Sequence, residues 1–160
     1  MLRKALSPLR AAVIALATTA VVVAAQGPAQ AALPSGYWSE MNPTGSCSTS
    51  CTKNIYIYTS GNNTLVGWGQ FQADPEGGLP GDAIMACDEL ADGWGIEMRM
   101  DINPTSPWQT DRVASTRGHN SPWCTGFQTG DIAEDTLVGL RMCIVQGTQE
   151  YCTPTYNART

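Results

Sequence analysis

Basic residues are scarce in this chain. Its 160 residues include nine lysines and arginines against 14 aspartates and glutamates, and none of the nine lies between Lys53 and Arg99. Proteins that bind nucleic acid or anionic membranes present a basic surface, so this balance argues against both kinds of partner. A cationic partner or Ca²⁺ would suit such a chain, although acidic residues that keep an exported protein soluble explain the same composition.

Several catalytic and metal-binding signatures are also missing. The chain has a single histidine, His119, and no Cys-x-x-Cys pair, so it lacks the ligand set of the common zinc sites, and we expect no cofactor. No Gly-x-Ser-x-Gly motif marks a serine nucleophile. Helical periodicity is absent, because 16 glycines and 10 prolines interrupt every candidate helix.

The N-terminus has the organisation of a secretory signal peptide. Three basic residues lie within the first ten, residues 11–25 form an uncharged apolar run, and Ala29 and Ala31 provide small residues before a cleavage site. The run is shorter than the roughly 20 residues that cross a bilayer as a helix. We predict that residues 1–31 are removed, that the protein is secreted and extracellular, and that it has no membrane contact after cleavage. With three of the nine basic residues removed, six remain against 14 acidic ones, a net charge of −8.

Short segments of alternating polarity predict strands. The clearest is WGIEMRMDI, residues 94–102, in which every even-numbered residue is apolar and the odd-numbered residues are Gly95, Glu97, Arg99 and Asp101. This period of two predicts a strand with a buried apolar face and a solvated polar face. The segments DAIMACD, residues 82–88, and DRVAST, residues 111–116, predict two further strands.

A hairpin is predicted around the four-residue loop SGNN, residues 60–63. Closing this loop places Ile57 opposite Val66 and Ile55 opposite Trp68, which together would form a core face. The opposite face of this hairpin then carries Tyr56, Tyr58 and Leu65. The tyrosines could bind a ligand there, or a neighbouring loop could cover them.

A second hairpin and the cysteine count together predict disulfides. A two-residue turn at 147–148 brings Cys143 opposite Cys152, at a spacing that suits a disulfide. Six cysteines in an exported chain of this size indicate three disulfides. Cys47 and Cys51 would close a small loop, which leaves Cys87 to pair with Cys124.

Short strands with frequent turns favour an all-β protein. We expect a single small disulfide-bonded β-sandwich or barrel of about seven strands, spanning residues 46–160. Residues 32–45 are expected to form a flexible N-terminal arm.

Three segments resemble small secreted proteins of actinobacteria that are mostly uncharacterised. The segments are GDAIMACDELADGWGIEMRM, RVASTRGHNSPWC and VGLRMCIVQGTQEYC, which cover roughly half of the chain. The resemblance rests on the DGWG turn, the RGHNSPWC element and the last hairpin. It implies export and a compact disulfide-bonded β-domain, and it implies no catalytic residue.

A catalytic site can be assembled from the polar residues of neighbouring strands. Glu97 as base, His119 as acid, and Arg99 and Arg117 as phosphate ligands are the residue types used by small secreted ribonucleases. Any β-domain with one histidine contains such a set, so we expect the protein not to be an enzyme. The small hydrolase remains an alternative.

Loop residues provide the candidate binding and metal sites. Trp108 and Trp123 follow prolines in loops, where they could contact a ligand or cap the ends of the sheets. The loop RGHNSPWC, which also carries His119 and Asn120, is the first candidate for the rim of a binding face, with His119 as a polar bridge within it. Asp74, Glu76 and Asp82 in a glycine-rich loop are a candidate Ca²⁺ site, although the same residues are common in turns.

The sequence thus favours a secreted, non-enzymatic binding or interaction module. Its partner would be an extracellular protein or a glycan. The alternatives are a carbohydrate-binding module and the small secreted hydrolase.

Overall fold

A computed structural model describes residues 31–44, 52–104 and 107–160 of the chain. The predicted signal peptide, apart from Ala31, and the predicted Cys47–Cys51 disulfide lie outside these residues. No helix that could cross a membrane is found in the described ranges. The described strands are β1 Ala31–Ala32, β2 Tyr37–Thr44, β3 Thr52–Thr59, β4 Leu65–Gln72, β5 Ala83–Asp88, β6 Gly95–Ile102, β7 Arg112–Ser115, β8 Trp123–Cys124, β9 Leu137–Gln146, β10 Gln149–Cys152 and β11 Tyr156–Arg159.

The strands form two sheets that pack face to face. The six-stranded sheet has the order β1-β10-β9-β6-β7, and β11 pairs with the other half of the long strand β9. The five-stranded sheet has the order β2-β3-β4-β5-β8. Neither sheet closes on itself in the described residues, so the all-β prediction is confirmed as a sandwich and not a barrel. The strands beyond the predicted seven are β1, β2, β8 and β11.

The core lies between the two sheets, as the alternating pattern of β6 predicts. Ile96, Met98 and Met100 of β6 are completely buried. The sheets approach closely at β4, because a Cβ at Gly69 would lie 2.5 Å from Sδ of Met142 and one at Gly67 would overlap the Ile96 side chain. These two glycines therefore face inward, and Trp68 and Gln70, which alternate with them, face outward.

The register of the first hairpin differs from the prediction by one residue. Tyr58 pairs with Leu65, but a β-bulge follows, and Ile57 then pairs with Gly67. Ile57 and Val66 are both buried as predicted. Trp68, however, pairs with Tyr56 and moves to the outer face, so its expected place in the core is wrong. An extra residue in one strand reverses the orientation of every residue beyond it.

The last hairpin and both described disulfides are as predicted. Gln146 pairs with Gln149 and Cys143 with Cys152. The Cys143–Cys152 disulfide joins β9 to β10 in the six-stranded sheet. The Cys87–Cys124 disulfide joins β5 to the short edge strand β8 in the five-stranded sheet.

Residues 37–44 are a strand, which corrects the expectation of an arm outside the β-domain. Strand β2 runs antiparallel to β3 along its whole length. Its segment YWSEMNPT alternates, and Tyr37 and Met41 pack against the core while Trp38 points the other way. Pro43 is tolerated because β2 is an edge strand.

Candidate functional site

The polar face of β6 is buried, so the prediction of a solvated face is wrong. Glu97, Arg99 and Asp101 expose only 5%, 8% and 3% of their surfaces. Strand β6 lies between β9 and β7 in the six-stranded sheet, and its outward side chains contact Ser115, Arg117 and Glu150. The alternation of a strand separates its two faces, but it does not show how far the outer face is covered.

Glu97 is the centre of an ion cluster on this face. Arg99 donates to Glu97 Oε2 from Nε at 2.9 Å and from Nη2 at 2.5 Å. Arg117 Nε and Ser115 Oγ donate to Glu97 Oε1 at 2.6 and 3.0 Å. Arg99 Nη2 also lies 2.6 Å from a carboxylate oxygen of Glu150. Two arginines and two glutamates therefore balance each other in this cluster.

The environment of Glu97 does not suit a general base. Burial acts to raise the pKa of Glu97, but the hydrogen bonds from Arg117 and Arg99 outweigh it, and the pKa lies below the ordinary value. Both carboxylate oxygens already accept two hydrogen bonds each. The structure thus brings three members of the proposed ribonuclease-like set together, Glu97, Arg99 and Arg117, but in a saturated structural cluster.

Trp108 covers the outer face of the six-stranded sheet. The guanidinium of Arg141 lies over its ring, 4.0 Å from the centroid, and its indole N–H donates to Thr110 Oγ1 at 2.9 Å. A Cβ at Gly139 would lie only 2.9 Å from the ring. These contacts favour the capping role that the sequence left open, over a role in binding.

A pocket of about 630 Å³ opens at one end of the sandwich, where three connections meet. They are the β5–β6 turn, the β7–β8 loop and the β9–β10 turn. We call it the loop pocket. Its lining includes Trp94, Arg117, His119, Asn120 and Ser121, and no aspartate or glutamate is among the described residues that line it. The RGHNSPWC loop therefore forms part of its wall, in the region where the sequence predicts a binding rim.

The RGHNSPWC loop is pinned at several points. Cys124 is bonded to Cys87, and Ser121 Oγ donates to the buried carboxylate of Asp88. Burial raises the pKa of Asp88, and the hydrogen bond from Ser121 only partly offsets this effect. Arg117 Nη1 donates to the carbonyl oxygen of Gly147 at 2.8 Å, which ties the loop to the β9–β10 turn.

His119 lies on the outside of this loop. Its ring stacks on Trp123 with 3.6 Å between centroids and 5° between planes. The histidine is exposed, and its ring has no hydrogen-bond partner in the described part of the chain. The prediction of a polar bridge inside the loop is therefore wrong, because the stack on Trp123 orients the ring instead.

The three acidic residues proposed for Ca²⁺ do not converge. In the described ranges, the one group of three potential ligand residues within 4.8 Å is Cys87, Glu89 and Cys124, whose sulfurs form a disulfide. Asp82 Oδ2 instead accepts a hydrogen bond from the backbone N–H of Ile132 at 2.9 Å. The geometry gives no support to a metal site at Asp74, Glu76 and Asp82.

Four aromatic side chains cross the outer face of the five-stranded sheet. Trp38 stacks on Tyr58 with 4.5 Å between centroids and 19° between planes. Tyr56 lies 6.2 Å from Tyr58 and 6.4 Å from Trp68, with similarly small angles. We call this diagonal series the aromatic ladder. Trp38 exposes 36% of its surface, and the other three rings are half-buried.

Carboxylates hold two rings of the aromatic ladder. Tyr58 Oη donates to Glu40 at 3.2 Å, and Trp68 Nε1 donates to Glu89 at 3.0 Å. Burial and the contact with Glu40 raise the pKa of Tyr58. Because the polar atoms of Tyr58 and Trp68 already have partners within the chain, these two rings are held in place on the sheet.

A row of amide side chains lies beside the aromatic ladder. Asn42, Asn54 and Gln70 are paired across β2, β3 and β4. We call these three residues the amide row. Asn54 Oδ1 is a buried acceptor without a donor in the described residues. The five strands of this sheet contain one basic residue, Lys53.

Sequence reasoning missed two residues of this face. Trp38 and Glu40 lie in the segment that was expected to be an arm, although YWSEMNPT alternates with a period of two. Trp68 was expected in the core. The flanking pair Gly67 and Gly69, which only an inward-facing close approach explains, is the signal that could have placed it outside.

Comparison of the chain with models of known families, with curated proteins and with solved structures finds no match. The resemblance to secreted actinobacterial proteins therefore stays a prediction.

Proposed function

We propose that this protein is a secreted, non-enzymatic binding module that holds a neutral glycan on the outer face of its five-stranded sheet. The observation that carries the proposal is the aromatic ladder of Trp38, Tyr58, Tyr56 and Trp68 next to the amide row. Secretion rests on the predicted signal peptide and agrees with two disulfides, because such bonds persist in oxidising compartments.

The chemistry of this face matches that of a sugar chain. A sugar ring presents apolar C–H groups on its faces and hydroxyl groups around its edge. Aromatic side chains bury the C–H groups, and amides both donate to and accept from hydroxyls. Asn42 is exposed and Gln70 is half-buried, so both can contribute to a ligand that crosses the aromatic ladder.

The charge of the face favours a neutral ligand. Glu40 and Glu89 contact its rings, and Lys53 is the one cation in the five strands. An anionic polysaccharide or a nucleic acid would meet uncompensated like charge there. A neutral glycan meets no such penalty.

The face is also preorganised. The four rings stand on three neighbouring strands that are paired along most of their length. Each ring is restrained by a stacked neighbour, and Tyr58 and Trp68 are also tethered to carboxylates. Binding would therefore require little ordering of side chains, which is the main entropic cost at such surfaces.

A carbohydrate retention assay tests the proposal. We expect the secreted protein to be retained by at least one insoluble neutral polysaccharide, such as cellulose, chitin or a β-1,3-glucan, without releasing soluble sugar from it. Trp38→Ala should weaken retention about tenfold, the effect typical of a central aromatic contact. Trp108→Ala removes an aromatic ring from the other sheet and is the matched control.

Two results would overturn the proposal. One is the absence of retention by every neutral polysaccharide in a panel that covers the common linkages. The other is retention that Trp38→Ala and Tyr56→Ala leave at the wild-type level.

A further inference from the structure

We infer that the loop pocket is a second site, independent of the aromatic ladder, which binds ligands through a carboxylate group. The pocket lies at the end of the sandwich and is lined by loops, whereas the aromatic ladder lies on a sheet face. The inference therefore does not depend on the proposed glycan function.

Hydrogen-bond donors with unused capacity line the pocket. Arg117 uses Nε for Glu97 and Nη1 for the Gly147 carbonyl, and its Nη2 has no partner in the described residues. The exposed side chains of His119 and Asn120 make no hydrogen bond within those residues. A ligand in this pocket thus meets the free Nη2 donors of Arg117 and two side chains that can donate to it, and an acceptor-rich group would satisfy all three.

The charge of the pocket differs from that of the rest of the protein. The domain has a strong excess of acidic residues, yet none lines the pocket in the described ranges. The carboxylates around it are already engaged. Glu97 is saturated by Arg99 and Arg117, Asp88 accepts from Ser121, and Asp92, between two lining residues, accepts from the backbone N–H of Trp94. An anionic group can therefore enter without meeting an unpaired carboxylate.

The amount of positive charge favours a carboxylate over a phosphate. Arg117 is the one arginine in the lining, and it shares its charge with Glu97. A planar guanidinium matches a planar, singly charged carboxylate, whereas a doubly charged phosphate needs more compensating cations. Half-buried Trp94 supplies an apolar wall for the remainder of the ligand.

Titration followed by backbone NMR tests the inference. The probes are N-acetyl-phenylalanine, its amide, which lacks the carboxylate, and glucuronate. We expect the free acid to shift the amide resonances of residues 93–95, 116–121 and 145–147 in a saturable way, and the amide not to do so. Glucuronate distinguishes an acidic sugar from a peptide C-terminus as the source of the carboxylate.

Variants separate binding from folding. Arg117→Lys keeps a cation near Glu97 but loses the planar fork, and it should weaken binding of the free acid about tenfold. His119→Ala and Asn120→Ala should each weaken it by a smaller factor without perturbing the ion cluster. Arg159→Lys makes the same exchange outside the pocket and should leave affinity unchanged, and Trp38→Ala should also leave it unchanged.

Equal shifts with the free acid and the amide would overturn the inference. Resonance shifts that lie outside the β5–β6, β7–β8 and β9–β10 connections would also overturn it. A third contrary result is unchanged affinity in a folded Arg117→Lys protein together with unchanged affinity in His119→Ala.

Discussion

The outer faces of the two sheets carry different chemistry, although both are built from strands that alternate in the same way. On the six-stranded sheet, Arg99 pairs with Glu97 and Glu150, and Glu97 and Arg99 are nearly withdrawn from solvent. On the five-stranded sheet, aromatic rings and amides lie at the surface, and Trp38 remains exposed. The outer face of the six-stranded sheet is internally satisfied, whereas that of the five-stranded sheet retains groups that a ligand can contact.

The difference teaches that charged residue types alone do not mark a functional site. Glu97, Arg99 and Arg117 have the composition of a catalytic set, but each oxygen of Glu97 is occupied by side chains of this chain. Buried ions require such partners because desolvation is costly. Aromatic side chains carry no such requirement, so they can stay partly exposed and available.

We expect the largest difference in stability between the two outer faces when one carboxylate is removed from each. Glu97→Ala would leave two arginines without their shared partner on a covered surface, and we expect it to lower the free energy of unfolding by about 3–5 kcal/mol. Glu40→Ala removes a carboxylate that accepts hydrogen bonds from Tyr58 and Asn42 and should cost less than about 1 kcal/mol. Urea unfolding of both variants measures the difference. Equal losses would mean that the two faces do not differ in this way.

Each sheet contains one of the two described disulfides, so removing them in turn compares the stability that each contributes. Cys87 and Cys124 are 37 residues apart, and Cys143 and Cys152 are nine apart. The loop-entropy model predicts losses of about 4 and about 3 kcal/mol when each pair is replaced by alanines. Urea unfolding of the two double variants tests the order. A larger loss for the shorter loop would indicate that contacts in the six-stranded sheet outweigh chain entropy.

Acid should weaken the charged face first. The pKa of Glu97 in the folded protein is below its ordinary value of 4.5, so its contribution to stability is complete above that pH and is lost as the pH falls through the folded value. We expect Glu97→Gln to be less stable than the wild type at pH 7, and the difference to shrink in acid. Unfolding measurements from pH 7 to pH 2 follow this. A difference that does not change with pH would contradict the ionic account of the cluster.

We expect the smallest effect on stability at Asp88, whose pKa is shifted in the opposite direction to that of Glu97. Burial raises its pKa above the ordinary value of 3.8, so its protonated form favours folding, and this contribution is lost as the pH rises through the folded value. Asp88→Asn should therefore gain stability relative to the wild type as the pH rises from 3 to 7. Thermal melts across that range test the sign. A relative loss over the same range would show that the bond from Ser121 outweighs burial.

The two hairpins show how much of the strand register could be predicted from the sequence. In the last one, a short turn and the Cys143–Cys152 pair were sufficient to obtain the observed register. In the first, the bulge after Tyr58 shifts the pairing, and Trp68 moves from the expected core to the aromatic ladder. A bulge shifts the alternation by one residue, but here the inward positions after it are Gly67 and Gly69, which have no apolar side chain to reveal the shift. Strand β2 was missed although YWSEMNPT alternates with a period of two and an edge strand accepts Pro43.

The sequence by itself determined the all-β class, the buried face of β6, the pairing of Cys87 with Cys124 and of Cys143 with Cys152, and the stapled RGHNSPWC loop. These features depend on local alternation, turn residues and cysteine chemistry, which act over a few residues or leave few pairings to choose from. Only the tertiary structure decided that Glu97 is saturated and that Trp38 joins Tyr58 and Trp68. Both outcomes depend on which strands become neighbours, because a side chain on a sheet is surrounded by residues that are distant in sequence.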